Sequence, residues 1–459
     1  MSGGDETIDG WRALARPEWL PALAVLLGGV LLHSMNVLLL ATVLPSIVSE
    51  LGGETVMHWP TTAFVASSIV AATCTGLVGA LIGARATFCV GALTFGAGAV
   101  LCFLASAMIW IVAGRFVQGL GGGLLTAIAY VLVRNTFPET VWPRVLALMS
   151  GVWSVSILVG PLIGGAFARY GDWRNAFVLV TVLAAILALG AFRALPATPP
   201  ERDARPDVPG GRVALVCLVI AGTSSAAVAA APLAKAGLIA LALVALVTMV
   251  RLDRRATSPL LPSDAFSLAT STGVGLWLVL LLSVTYSPLQ IYVAIFLQRL
   301  HGLDPLASGY AVAGASLGWT AASLAVAGVE GVRRDRLILA GPLVMGLGLA
   351  GLAWLMPLPG GYTAVPAVVL TGVGIGICWV FVAQRVMSGA RKGDETAAAS
   401  SVATVQQLGF AIGAAVAGLV ANASGLGHDV AAAAFWVPLS FVVAAAAAFL
   451  AALRLRNVR

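Results

Sequence analysis

The sequence predicts an all-α polytopic membrane protein, and three observations carry that prediction. Of 459 residues, 60% are hydrophobic and only 10% charged, against roughly a quarter charged in soluble domains. Apolar runs of about 20 residues, the length a bilayer core demands, recur along the whole chain. The Lys and Arg residues gather on alternate connections, the pattern that sets orientation in a membrane. A net charge of +7 would point to nucleic acid in a soluble protein. Here the basic residues punctuate short loops, so nucleic acid is excluded as a partner and the lipid bilayer takes its place.

The elements follow in order. The first 19 residues are polar and mixed in charge (Asp5, Glu6, Asp9, Arg12, Arg16, Glu18), without the basic and short apolar regions of a cleavable signal, so the first helix is expected to stay. Six spans begin near Leu20, Trp59, Phe88, Trp110, Val145 and Ala176. The proline-rich, charged stretch from Pro196 to Arg212 cannot cross a membrane and reads as a linker. Two shorter runs follow, roughly Val213 to Pro232 and Ala236 to Val250, the first diluted by Thr223, Ser224 and Ser225. A second charged loop, Arg251 to Arg255 with Pro259, Pro262 and Asp264, leads to six more spans starting near Thr272, Ala307, Leu337, Ala364, Ala398 and Ala431. The count is fourteen. The expected organisation is an N-terminal six-helix bundle at 1–195, a linker with two additional helices at 196–264, and a C-terminal six-helix bundle at 265–459.

With both termini inside, the inner connections hold 21 of the 26 basic residues and the outer ones only Arg169, Arg174, Lys235 and Arg299, Arg115 being left within the membrane. Removing the middle pair leaves the orientation of both halves unchanged, so charge supports an even count more firmly than it supports fourteen. A faint internal repeat agrees, the basic turn at Gly83–Gly91 resembling that at Arg333–Gly341. All five cysteines fall in apolar segments without metal-ligand spacing and read as core residues, so neither metal nor cofactor is expected.

Within the fourth span, Ala113-Gly-Arg-Phe-Val-Gln-Gly-Leu-Gly-Gly-Gly123 sets Arg115 among glycines. A charge near the bilayer centre costs on the order of 3 kcal/mol by insertion scales, so it faces a bundle interior or a wet cavity. Gly119 and Gly123, one turn apart, let a neighbouring helix approach. A polar pathway is one reading; an arginine that pins helix to helix is the other. No acid falls in mid-membrane. The one intramembrane group that titrates near neutral pH is His33, a turn before Asn36 on the same face, and it is a candidate for proton coupling or substrate contact, against a plain hydrogen-bonded role in the bundle.

These residues resemble the major facilitator superfamily, and more narrowly its fourteen-helix drug:proton antiporter branch. Val112 to Gly123 resembles the fourth-helix motif, with Arg115 as its arginine. Ser156-Ile-Leu-Val-Gly-Pro-Leu-Ile-Gly-Gly165, followed by Asp172-Trp-Arg-Asn-Ala-Phe177, resembles the fifth-helix antiporter motif and the start of helix six. Ser258-Pro-Leu-Leu-Pro262, Phe296-Leu-Gln298 and Gln406-Gln-Leu-Gly409 are similar to strings of the second half. The resemblance implies a major facilitator fold of two six-helix bundles with two extra helices between them. It also implies a conformational role for Gly160, Pro161, Gly164 and Gly165, whose missing donor and GxxxG face otherwise read as packing alone.

Two departures matter. In the loop after helix two, Ala80 and Leu81 stand where the resemblance implies an aspartate and an arginine, leaving Arg85; the second half keeps Glu330 near Arg333, Arg334 and Arg336. In helix one, Asn36 aligns with an embedded acid of the branch, so Arg115 is expected to be partnered by neutral acceptors such as Asn36 and backbone carbonyls, or by substrate. The resemblance places Gln118, Trp153, Tyr286, Gln290 and Trp379 near the site, Tyr286 and Gln290 flanking Pro288 on one face of a kinked helix; for each aromatic, core packing is the competing reading.

The expected function is secondary active export of a drug-like or metabolite molecule by alternating access, as a proton-coupled multidrug antiporter in the bacterial inner membrane, acting as a monomer. One arginine and no acid favour a neutral or anionic substrate over an organic cation. Uptake or facilitated diffusion of an organic anion or neutral solute is the alternative. An enzyme or sensor is disfavoured: there is no HExxH, no Ser/His/Asp set, no P-loop and no large soluble segment.

Overall fold

In the computed structural model the described residues are 10–53, 56–57, 59–170, 172–197, 210–228, 231–253, 255–256 and 259–458. Most of the charged linker expected between the halves, and Ser258 of the proline motif, lie outside them, as do the side chains of Pro161 and Gly165 within the fifth helix. Among the described residues the fold is all-helical. It comprises α1 (Leu20–Leu51), α2 (Trp59–Ile82), α3 (Ala84–Phe103), α4 (Met108–Thr136), α5 (Trp142–Tyr170), α6 (Arg174–Ala194), α7 (Gly210–Val228), α8 (Pro232–Asp253), α9 (Ser271–His301), α10 (Pro305–Val326), α11 (Gly331–Leu355), α12 (Val365–Ser388), α13 (Glu395–Ala423) and α14 (Val430–Asn457), with 3-10 turns at Trp11–Ala15 and Glu139–Val141. Eleven of these helices are long and apolar enough to cross a membrane; α5, α7 and α10 make up the fourteen.

The helices begin up to six residues earlier than hydropathy alone marks. Arg333, Arg334 and Arg336 belong to the first turns of α11 rather than to a loop, and Arg85 to the first turn of α3. Hydropathy detects only the part inside lipid, whereas the backbone goes on satisfying its own hydrogen bonds beyond it. Lys235, read as an outer-loop residue, is likewise inside α8, buried, with Nζ donating to the Gly418 carbonyl of α13 at 3.3 Å.

The faint repeat becomes a pairing pattern. In the first half α2 packs on α4, α3 on α4 and α6, and α1 on α5 and α6; in the second, α10 packs on α12, α11 on α12 and α14, and α9 on α13 and α14. Each pair maps to its counterpart by adding eight to the helix number. The corners agree: Gly83 before α3 has φ +81° and Gly331 at the start of α11 has φ +60°, left-handed values a glycine adopts at no steric cost. The two bundles meet along two seams, α2 against α13 and α5 against α10, which the same rule of eight exchanges. The extra pair breaks the symmetry: α7 and α8 pack on each other, α7 also on α2 and α13, and α8 on α13.

At the end of the molecule that carries the α8–α9 connection, Asp253 fastens this pair. Its carboxylate accepts from Arg212 Nη1 at 2.6 Å and from the backbone amides of Leu260 and Leu261, both at 2.8 Å, so a buried charge is fully hydrogen-bonded.

Candidate functional site

The glycines of α4 build the first half of the site by letting neighbours come close. A side chain at Gly119 would strike Ser67 Oγ and the Phe64 carbonyl, and one at Gly123 the Ser68 carbonyl, so α2 lies directly on this face. That approach brings the Phe64 ring over the Arg115 guanidinium, Cζ standing 4.1 Å from the ring centroid. Arg115 is 1% exposed, and its Nη1 donates to Gln118 Oε1 at 3.0 Å. The expectation of a neutral acceptor for Arg115 holds in kind, but the acceptor is Gln118, one turn along α4, rather than Asn36, and the π face of Phe64 covers the guanidinium. Neither carries a negative charge. Among the described residues Arg115 forms no ion pair.

On α1, His33 sits 5.3 Å from Phe64 and edge-on to Trp153 at 6.1 Å between ring centroids. Its Nδ1 abuts Gly122, where a Cβ would lie 2.5 Å away. Asn36 is wholly buried. Five side-chain atoms here lack a hydrogen-bond partner among the described residues: His33 Nδ1, both amide atoms of Asn36, Arg115 Nε and Gln118 Nε2. Each unmade bond in a buried site costs about 1–3 kcal/mol, so this cluster holds unspent capacity for a polar ligand or water. Trp153, which packs on His33, is 42% exposed.

The second half of the site is aromatic. Tyr286 on α9 packs edge-on to Trp319 at 5.2 Å and lies 6.3 Å from Phe410 on α13, while Trp319 meets Trp379 on α12 at 5.6 Å. Ser316 lies near the Tyr286 hydroxyl, and Trp379 lies near the Tyr130 hydroxyl on α4 in the other bundle. Trp319 Nε1 is a buried donor without a partner among the described residues. Gln290 does not join: it is exposed while Tyr286 is buried, although both are on α9 around Pro288. Phe64, Tyr130, Trp319 and Phe410 were not singled out from sequence. Trp319 alone left a signal there, an aromatic flanked by Gly318 and Thr320 in an apolar run.

Bonds across the seams cluster toward one end, the one bearing Arg134, Arg144 and Arg385. Ser154 Oγ bonds the Ser316 carbonyl at 2.9 Å and Thr320 Oγ1 at 2.7 Å, and Thr320 Oγ1 donates to the Ser150 carbonyl at 3.0 Å. On the other seam Ser68 Oγ donates to Gln407 Oε1 at 3.2 Å. Nearer the basic end, Gln384 Nε2 donates to the Glu139 carbonyl at 3.2 Å and Arg134 faces Glu395 at 3.9 Å. Arg385 donates to Asp335 at 2.9 Å with Arg334 at 3.8 Å from the same oxygen, so the acid that engages this basic group is Asp335, while Glu330 is exposed. In the N-half Arg85 lies over the Phe192 ring at 5.2 Å. On α5, Gly160 packs against Leu38 and the Met35 carbonyl, and Gly164 against Thr42 and Leu39 of α1; Ser34 and Ser156 hydroxyls join the same helices at 2.5 Å.

At the opposite end, Glu50 accepts from Trp173 Nε1 and Arg174 Nη1, both at 2.7 Å. α1 has 32 residues and so a length of about 48 Å, well beyond a bilayer core of about 30 Å, and Glu50 near its end stands outside the membrane. The hydrogen bonds from Trp173 and then Arg174 hold its carboxyl below the usual carboxylate range.

The chain matches the model of the Major Facilitator Superfamily over residues 26–414. It is 34% identical over 455 residues to a "probable multidrug-efflux transporter" of Mycobacterium tuberculosis strain H37Rv, covering 96% of this chain and 95% of the relative. It is 28% identical over 411 residues to the tetracenomycin C resistance and export protein of Streptomyces glaucescens, covering 87% and 75%. Among solved structures, the human organic anion transporter MFSD10 (TETRAN) superposes with a TM-score of 0.71 at 15% identity, over 95% of this chain and 100% of that one. At that identity the likeness concerns the fold.

Proposed function

This chain belongs to the major facilitator superfamily, and from that premise we propose that it exports a drug-like or metabolite molecule by rocking its two bundles about the space between Trp153 and the Tyr286–Trp319–Trp379 wall. The superfamily is one of transporters, and no enzymatic role is assigned. The observation that carries the proposal is a buried polar cluster in one bundle and an aromatic cluster in the other, with inter-bundle bonds gathered toward the basic end. By the excess of basic residues that end faces the cytoplasm, with both termini there. The arrangement then corresponds to a carrier closed inside and receptive outside. Fourteen crossings, divided at residues 195 and 264 and working as a monomer in the inner membrane, complete the reading. The efflux and export roles in the names of the mycobacterial and streptomycete relatives support the outward direction.

The cargo is neutral or anionic. Arg115 brings a positive charge to the site with no carboxylate against it among the described residues, and an organic cation would be repelled. Arg115, Gln118, Asn36 and His33 supply hydrogen bonds, Trp153, Tyr286 and Trp379 apolar faces, and Gln290 the exposed approach along α9. His33 couples transport to protons. The same lack of an embedded acid favours a second reading, facilitated uptake of an organic anion. Counterflow of charged and neutral compounds in proteoliposomes, with and without a pH gradient, separates the two. Gradient-driven exchange of neutral or anionic compounds is the expected result; acceleration of cations alone overturns it.

A further inference from the structure

The cluster behind Trp153 has chemistry that a drug-like cargo does not exhaust. Arg115 is a fully buried cation whose contacts are a neutral amide and an aromatic face. The bond from Arg115 Nη1 to Gln118 Oε1 fixes the orientation of that amide, oxygen toward the guanidinium, so that Nε2 remains a donor without a partner. Arg115 Nε is a second such donor and Asn36 Nδ2 a third.

Helix register brings the three to neighbouring levels. α1 and α4 run antiparallel, and His33 on α1 meets Gly122 on α4. Asn36 is then about 4.5 Å further along α1, and Gln118 about 6 Å back along α4 from Gly122, with Arg115 one turn beyond. The acceptors in the cluster are Asn36 Oδ1 and His33 Nδ1. Cys102 Sγ lies 3.9 Å from Gln118 Oε1 and contributes no negative group in its thiol form. Water would satisfy the hydrogen bonds but not the charge. An anion satisfies both.

We propose that Arg115, Gln118 and Asn36 form an internal site for a monovalent anion, which supplies the counter-charge that no carboxylate provides. Phe64, which packs on both Arg115 and His33, and Trp153, which packs on His33, flank the cluster, and its donors suit a halide or the anionic group of a cargo molecule. The inference concerns the state of the resting protein, and it stands or falls apart from the direction of transport.

The test is thermal unfolding of the purified full-length chain in detergent, with sodium chloride exchanged for sodium gluconate at constant ionic strength. Chloride is expected to raise the midpoint saturably, because a ligand that binds only the folded state stabilises it by mass action. Asn36→Asp places a carboxylate in the cluster and is expected to abolish the chloride response while raising the midpoint in gluconate. If that variant does not fold, Asn36→Leu, which removes one donor, is expected to raise the half-saturating chloride concentration about tenfold, the equivalent of one hydrogen bond to a charge. Benzoate in place of chloride separates the sources: a response to chloride assigns an inorganic ion, and a response to benzoate alone assigns the anionic group of the cargo. Equal midpoints in chloride, benzoate and gluconate overturn the proposal, as does a chloride response that survives unchanged in both Asn36 variants. Failure of counterflow leaves these measurements untouched, so the two readings fail separately.

Discussion

At the scale of single residues, the physical problem is a cation and three polar side chains enclosed in a bundle that gives them few partners. His33→Ala is expected to abolish the pH dependence of transport with expression intact, measured as counterflow across a pH series; an unchanged profile removes His33 from proton coupling. Gly123→Val forces a side chain onto the Ser68 carbonyl, a backbone atom that cannot rotate away. Overpacking of this kind costs about 1–3 kcal/mol or more, and the expected result is a loss of monodisperse protein on size-exclusion chromatography. Glu50 gives a pH prediction with a definite sign. Its carboxyl is held low in the folded state by Trp173 and Arg174, so its contribution is present at neutral pH and lost as pH falls through the acid range. The thermal midpoint is expected to drop less on acidification from neutral pH in Glu50→Gln than in the native chain. Much of this site was legible in the sequence. Arg115 among glycines announces a buried charge and a close crossing by composition alone. Phe64 was not legible, because its place over the guanidinium depends on α2 meeting α4 at Gly119, a contact between helices that no local pattern encodes. Gln290 misled for the opposite reason: the four-residue spacing from Tyr286 is a regular-helix argument, and Pro288 lies between them.

At the scale of elements, apolar length located all fourteen helices but not their ends. The register of α11 decides which acid meets the basic cluster: with the helix beginning at Gly331, Asp335 lies in its second turn within reach of Arg385, while Glu330 precedes the helix and its side chain makes no capping bond. A loop reading of Arg333 to Arg336 concealed this. The pair α7 and α8 shows how weak spans are held. Asp253 gathers Arg212 and two backbone amides, and Lys235 ties the other end of α8 to α13. Asp253→Ala removes the acceptor for all three donors at once. Breaking a buried pair typically costs about 3–5 kcal/mol, so a clear drop in thermal midpoint is expected, and a midpoint within one degree of the native value contradicts the role assigned to this carboxylate.

At the scale of the whole molecule, the inter-bundle contacts differ in what they contribute. Arg134 and Glu395 are partly exposed and 3.9 Å apart, and surface pairs of this kind are worth no more than about 1 kcal/mol. Ser154 and Thr320 are more consequential, because hydroxyls and carbonyls from both bundles close on one another within the seam. Replacing both, as Ser154→Ala with Thr320→Val, leaves the helices apolar and close-packed but removes the bonds between them. The expected outcome is a shift toward the state open at the basic end, read as increased labelling of a cysteine introduced at Gln384 by a membrane-impermeant thiol reagent applied from that side. Unchanged labelling shows that the seam is held by packing alone.

The rule of eight that relates the helices leaves α7 and α8 without counterparts, and they lie on α2 and α13, over one seam and not the other. A compound dissolved in the lipid thus meets unlike flanks: toward α2 and α13 two further helices stand in its path, and toward α5 and α10 it faces the junction of the bundles directly. The molecule is a nearly symmetrical pair of halves with a shuttered side and a bare one.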